Sequence, residues 1–324
     1  MLDSRSPAMA YLTLSVVIPT HDTRQLTLRC LASLVQGGAP LAEVIVVDDA
    51  SSDGTADAVR DREPGVIVVE TDGNIGFSRA VNLGAERATG DILLVLNSDT
   101  EVGEGAFTAL TAAFSDDTTL GIGGAELIGP DGAPQWRAGK WPTTSWLFAQ
   151  ASGLGPVLSR IPGRGLVNSG GAGETGGVDW VTGAAMAIRR EVWESRGPFD
   201  IGYRFYCQDL DLCFGARRAG WSVAVIPGFR VLHHHGATIS VVSGASGVFH
   251  PAHLWSDLVR FIGKREGADA AARAAAVLSA GARIRLAGRA VAGAFSPDRD
   301  AWNRDSDGYR EGLIALSGHV DRSS

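Results

Sequence analysis

The residues whose types and spacing could do chemistry are Asp48-Asp49, Asn97-Ser98-Asp99, Asp209-x-Asp211 and the run His233-His234-His235. Asp99 follows five consecutive large aliphatic residues, Ile92 to Leu96. That run is too short for a lone helix and suits a strand buried on both faces. In an open parallel sheet, ligands bind at the carboxyl ends of the strands. A carboxylate placed there can hold a divalent cation and, through it, a diphosphate. A turn or a helix cap is the competing reading, since Asn, Ser and Asp favour both. Asp48-Asp49 ends a second apolar run, Glu43 to Val47, and its oxygens can accept hydrogen bonds from ribose hydroxyls or a base N–H. Asp209 and Asp211 fall near a helix start, where acids also suit the helix dipole. In a continuing strand, His233 and His235 point to one side and His234 to the other. They are metal ligands or members of a satisfied structural cluster.

The elements that must carry these groups alternate in type. Leu12 to Ile18 reads as a strand ending in Pro19-Thr20-His21-Asp22. A helix follows from about Arg24 to Val35, with an apolar stripe of Leu26, Leu28, Leu31 and Leu34, and Gly37-Gly38 ends it. Val66 to Val69 is a third strand. Asn74-Ile75-Gly76-Phe77 opens a further helix that Gly90 stops, and the fourth strand leads to Asp99. This β-α-β-α-β-α-β order predicts a parallel sheet with helices on both faces. No Gly-x-Gly-x-x-Gly follows the first strand, which disfavours simple dinucleotide binding, and no Walker motif is present. Gly129 to Gly177 is rich in Gly, Pro, Ser and Trp and reads as a flexible region, most clearly over Gly170 to Gly177. Its Trp136, Trp141 and Trp146 either pack beneath the loop or face an apolar substrate. Val178 to Ile188 is read as one strand, Arg190 to Ser195 as a helix, and Val223 to Ile226 and Phe229 to Leu232 as strands around Pro227.

Composition narrows the function classes. A chain of 324 residues has room for one large α/β domain plus an appendage. A net charge of −7 gives no support for nucleic-acid binding, which usually shows a basic bias. The three cysteines, Cys30, Cys207 and Cys213, lack metal-site spacing and cannot all pair, which points to a reducing cytoplasm. The first residues lack the basic and apolar regions of a signal peptide. No apolar run approaches the roughly 20 residues that span a bilayer.

Taken in order, the motifs resemble those of the family 2 glycosyltransferases of the GT-A fold, and most of all their rhamnosyltransferase-like branch. They are Val17-Ile18-Pro19-Thr20, Val47-Asp48-Asp49 with Ser52-Asp53-Gly54-Thr55, Asn74-x-Gly76-Phe77, Ala80-x-Asn82-x-Gly84, Gly90-Asp91, Leu96-Asn97-Ser98-Asp99, Trp180-x-x-Gly183, Gly197-x-Phe199-Asp200, Asp209-x-Asp211-Leu212 and His233-x-x-Gly236-x-Thr238. Together they cover roughly residues 14 to 240. Any one is weak, and the ordered set is specific. The resemblance implies a GT-A domain over 13–245, preceded by a flexible tail (1–12) and followed by a helical extension (246–324). It implies inverting transfer from a nucleotide-diphosphate sugar, with dTDP-rhamnose as one donor, to an acceptor hydroxyl on a glycan or lipid-linked carrier in cell-wall or polysaccharide assembly. By resemblance, Pro19, Thr20, Asp48, Asp49, Arg79, Asn97 and Ser98 line the nucleotide site. Asp99 and His233 hold Mg²⁺ or Mn²⁺, Asp209 is the catalytic base, and Trp180, Gly183, Ala184 and Gln208 face the acceptor. Two departures stand out. Asn97 begins the metal triplet in place of Asp, and Gln208 replaces the acid that often precedes the base, which should leave Asp209 with a less raised pKa. These departures keep a catalytically silent nucleotide-sugar binder open as an alternative. A sugar nucleotidyltransferase is disfavoured because the first strand lacks a glycine-rich loop with Arg or Lys.

Residues 251 to 295 hold seven basic and three acidic side chains, with Leu254, Trp255, Leu258, Val259 and Ile262 at helical spacing. Two expectations fit that pattern. One is docking on the anionic inner face of the plasma membrane. The other is packing on the catalytic domain or on a second copy of the chain. The sequence leaves a homodimer open.

Overall fold

The aliphatic run that precedes Asp99 is the central strand β4 (Ile92–Leu96), buried at every residue. Each such side chain contributes about 1.5–3 kcal/mol when fully buried. The computed structural model describes residues 12–38, 41–155, 178–234, 251–293 and 299–320. β4 lies parallel to β1 (Leu14–Thr20), β1 to β2 (Leu41–Asp48), and β2 to β3 (Ile67–Glu70). The crossovers are α1 (Arg24–Ser33), α2 (Thr55–Arg62) and α3 (Phe77–Ala85). Successive strand residues face opposite sides. Leu14, Val16 and Ile18 therefore join the core under α1, while Val17 joins Ala80 and Val81 of α3. Gly84 permits that second contact, because a Cβ there would come within 2.5 Å of Val17 Cγ1.

Beyond β4 the sheet ceases to be purely parallel. After β5 (Thr100–Val102), α4 (Ala106–Asp116), β6 (Leu120–Ile128), β7 (Ala138–Gly139) and α5 (Thr144–Ser152) come β8 (Trp180–Val181), β9 (Ala185–Arg189), α6 (Arg190–Arg196), α7 (Gln208–Arg218) and β10 (Ser222–His233). The main sheet runs β3-β2-β1-β4-β9-β6-β10-β5, with β9 antiparallel to both of its neighbours. The strand expected over 178–188 is divided. Its first part, β8, pairs with β7 in a separate two-stranded sheet, and its second part, β9, enters the main sheet. In the turn between them the Gly183 amide is satisfied by Asp209 and not by a neighbouring strand. Conversely, the two strands expected around Pro227 form one bulged strand, with Gly228 at φ +83 absorbing the irregularity.

Three helices follow: α8 (Pro251–Glu266), α9 (Ala268–Gly293) and α10 (Arg299–Val320). The stripe of α8 packs inward, with Trp255, Leu258, Val259 and Ile262 in the same core as Val17 and Met186. Several of the tail's basic residues are engaged within the chain. Arg260 and Lys264 pair with Asp200, Arg265 lies over Trp141 and Phe214, Arg285 lies over Tyr309, and Arg289 donates to Ser306. No helix among the described residues is long and apolar enough to cross a membrane. Of the segment expected to be flexible, residues 129–155 carry β7 and α5, while 156–177 lie outside the described residues, as do residues 1–11 of the expected tail.

Candidate active site

Antiparallel pairing with β5 brings the end of β10 back beside the end of β4. His233 Nε2 there comes within 3.4 Å of Asp99 Oδ1, with both residues buried. Gln135 fixes the imidazole. Its Nε2 donates to the His233 carbonyl at 2.9 Å, so its Oε1 is the atom 2.8 Å from His233 Nδ1 and accepts a hydrogen bond from the Nδ1–H. In the neutral ring this leaves the Nε2 lone pair facing a carboxylate oxygen. Two acceptors so close repel unless a proton or a cation lies between them. A hard oxygen, an imidazole nitrogen and an outer-sphere carboxamide that sets the tautomer form a donor set that suits a divalent cation. Among the described residues no group of three or more His, Cys, Asp and Glu converges. The neighbouring His234 points away and meets Glu101 at 2.8 Å. His235, Gly236 and Thr238 lie outside the described residues.

Asp209 lies in the first turn of α7. Its Oδ2 accepts from the Gly183 amide at 3.0 Å, and its Oδ1 from the Leu210 amide at 2.9 Å. The same β8–β9 turn presents the Ala184 carbonyl to the Asn97 amide at 2.9 Å. One turn thus joins the carboxylate of Asp209 to the strand end that carries Asp99. Burial pushes the Asp209 pKa above the usual aspartate value, against the pull of the Gly183 and Leu210 amides. Gln208 does remove a like charge, but the rise comes from burial and so survives that substitution. The Gln208 side chain itself is buried and donates to the Phe205 carbonyl at 3.2 Å.

The remaining expected residues are placed less uniformly. Asp49 is almost wholly occupied: Oδ1 accepts from the Ile75 amide at 2.7 Å and the Thr71 hydroxyl at 3.0 Å, and Oδ2 from the Gly76 amide at 2.8 Å. Asp48 Oδ1 takes the Ser51 amide at 3.0 Å. Pro19 and Thr20 end β1, where the Thr20 hydroxyl lies 2.7 Å from those of Thr23 and Thr27. Thr23 then reaches Ser98 Oγ at 2.9 Å. This buried hydroxyl cluster ties the ends of β1 and β4 together. Arg79 is exposed on α3 and, among the described residues, donates to the Ile75 carbonyl alone, at 3.5 Å. Trp180 is buried, donates to the Lys140 carbonyl at 3.1 Å, and meets the half-exposed Trp136 edge-on at 4.7 Å. Trp141 packs among Phe214 and Phe261 instead of facing outward. The three cysteines are free and buried, and burial pushes the Cys30 thiol up to about 12.

Sequence reasoning missed Gln135, Thr23 and Asn82. Gln135 and Thr23 meet partners 98 and 75 residues away, which no local spacing marks. Asn82, quoted within a motif but given no role, exchanges two 2.9 Å bonds with the Phe199 backbone and fastens α3 to the segment leading toward Asp209.

A sheet of this order, parallel through β1–β4 and mixed beyond and flanked by helices, has the architecture of the GT-A fold. Solved structures with this fold include GalNAc-T7 with UDP, GalNAc and Mn²⁺, at a TM-score of 0.53 and 19% identity, covering 78% of this chain. The present chain spans about half of that protein, at 48%. A mannosyltransferase from Pyrobaculum calidifontis in complex with GDP-Man and Mn²⁺ matches with a TM-score of 0.52 and 18% identity, over 96% of this chain and 88% of that one. The sequence carries the classification further. Residues 15–170 match the family model described as Glycosyl transferase family 2. The N-acetylglucosaminyl-diphospho-decaprenol L-rhamnosyltransferase of Mycobacterium tuberculosis is 31% identical over 233 residues, which is 68% of this chain and 76% of the relative. An O-antigen biosynthesis protein of Myxococcus xanthus is 26% identical over 72% of this chain, although the match takes in only 18% of that protein. The chain belongs to glycosyl transferase family 2.

Proposed function

We propose that the chain is an inverting hexosyltransferase that moves a sugar from a nucleotide-diphosphate donor to an acceptor hydroxyl in cell-wall or polysaccharide assembly. The observation that carries this reading is the meeting of Asp99 and His233 beside the turn that seats Asp209. Asp99 and His233 would hold a divalent cation, Mn²⁺ or Mg²⁺, and substrate oxygens would complete its shell. Bound there, the ion supplies Lewis-acid stabilisation of the charge that develops on the departing nucleoside diphosphate. The hydroxyl cluster of Thr20, Thr23 and Ser98 sets the spacing of the strand ends against which the nucleotide lies. Asp209 takes the proton of the attacking hydroxyl as the new bond forms at the anomeric carbon, because an alcohol is a weak nucleophile at neutral pH. Its raised pKa brings it nearer to the operating pH and makes it a stronger base.

The likeness to the mycobacterial enzyme favours an L-rhamnosyl donor, of which dTDP-rhamnose is the candidate to test first, and a polyprenyl-diphosphate-linked sugar as acceptor. Peripheral membrane contact is a further part of the proposal. It is supported by exposed Arg273, Arg283, Ile284 and Val291 on α9, and flotation on anionic liposomes tests it. The deciding experiment is donor turnover across a panel of nucleotide sugars with and without Mn²⁺, using a polyprenyl-diphosphate N-acetylglucosamine acceptor. Transfer from one donor supports the proposal. Binding with neither transfer nor slow hydrolysis identifies a silent binder, and product from a nucleoside triphosphate and a sugar phosphate identifies a nucleotidyltransferase.

A further inference from the structure

The segment that leads into Asp209 has neither strand nor helix over residues 203–206, and three successive backbone amides converge there on one side chain. Asp257, on α8, accepts from Arg204 N at 3.0 Å through Oδ1, and from Phe205 N at 3.0 Å and Tyr206 N at 2.8 Å through Oδ2. Asp257 is 3% exposed, and its near neighbours along α8 include the buried apolar residues Trp255, Leu258 and Phe261. A carboxylate on such a face is costly to bury unless its oxygens are satisfied, and the loop amides satisfy them. Further along α8, Arg260 reaches Asp200 at 3.1 Å, and Lys264 reaches Asp200 at 2.7 Å and Asp211 at 2.6 Å. One helix therefore grips the chain before Asp209, at Asp200 and at 204–206, and after it, at Asp211. Between these grips Cys207 holds φ +68, a left-handed conformation that a non-glycine residue keeps only where its surroundings impose it.

We propose that Asp257 is a positioning residue for the catalytic base, and that helix α8 is thereby part of the catalytic apparatus. The proposal rests on the reading of Asp209 as that base. Through three amides Asp257 sets where α7 begins, and with it the direction in which the Asp209 carboxylate leaves the helix. The residues that would hold the donor's cation, Asp99 and His233, lie at the ends of β4 and β10 and make no contact with Asp257. An error of about 1 Å in the position of a reacting group costs on the order of 100-fold in rate.

The test is Asp257→Asn in the full chain, with the fold checked by circular dichroism and melting. One acceptor oxygen then becomes an NH₂ group set against backbone N–H donors. The expected result is a fall in kcat of about 10- to 100-fold with the KM for donor held within about twofold. The acid limb of the pH profile should also move toward the ordinary aspartate range, as water reaches Asp209. Lys264→Met cuts the Asp211 grip and leaves Asp200 held by Arg260 alone. It should show the same split with a smaller loss, and Asp257→Glu, which keeps the charge but lengthens the reach to the 204–206 amides, decides the matter by the same kcat and pH readouts if Asp257→Asn does not fold. Wild-type kcat in a folded Asp257→Asn, or a loss that merely follows the folded fraction with an unmoved pH profile, would overturn the proposal. If Asp209→Asn is inactive in that case, the base assignment stands and only the positioning role falls. Transfer by Asp209→Asn would overturn both.

Discussion

Asp49 and Asp99 end neighbouring parts of one sheet, are buried to nearly the same degree, and each closes an aliphatic strand, yet they are employed differently. Asp49 commits both oxygens to the Ile75 and Gly76 amides and so builds the loop that starts α3. Asp99 is turned toward His233, whose tautomer is set by Gln135. The lesson is that burial of an acid at a strand end does not mark chemistry. Asp49, with both oxygens taken up by the loop that opens α3, serves architecture, while Asp99, which faces another acceptor, has a place for a cation or a proton.

The comparison can be broken by substitution. Asp209→Asn should lower transfer by roughly 10²- to 10⁴-fold while nucleotide-sugar binding survives, which equilibrium dialysis against donor checks. Asp99→Ala should raise the Mn²⁺ concentration needed for half-maximal activity sharply, and an unchanged titration would remove Asp99 from that role. Gln135→Leu leaves His233 free to choose its tautomer and should weaken metal affinity about 10- to 100-fold, read by calorimetry. Asp49→Asn should act on stability instead, costing about 1–3 kcal/mol for amides left poorly paired. Denaturant midpoints measure it, and the specific activity of the folded fraction should stay near that of the unaltered chain. A catalytic collapse in folded Asp49→Asn would erase the contrast.

The smallest effect is in the acid range. Burial raises the Asp200 pKa, but Lys264, the Gly202 amide and Arg260 outweigh it and bring the carboxyl to about 2 from an ordinary 3.8. The folded-state value is depressed, so the associated stability is present above the unfolded pKa and is lost as pH falls from about 3.8 toward 2. It is on the order of 2 kcal/mol. Lys264→Met should flatten the acid side of a stability-against-pH curve over that window.

Much of the nucleotide half could be read directly. Buried parallel strands produce unbroken aliphatic runs, and glycines such as Gly76 mark turns by their own backbone conformation, φ +84 here. The division of 178–188 into β8 and β9 could not, because a strand and a strand–turn–strand share one apolar pattern until a partner takes the Gly183 amide. The basic tail was equally ambiguous. A membrane-facing helix and a helix that latches onto acidic loops carry the same charges, and Arg260 and Lys264 turn inward to Asp200.

By itself the sequence determined the alternation of elements, the strand ends where ligands can sit, and the residue types available there, because each depends on chain neighbours and local backbone preference. Only the tertiary structure decided which acids are consumed by backbone amides, which histidine of three meets Asp99, and that Gln135 and Asp257 stand behind the site. Those contacts join residues 51 to 134 positions apart. Their energies come from desolvation and hydrogen-bond geometry that exist only once the sheet and its helices have packed.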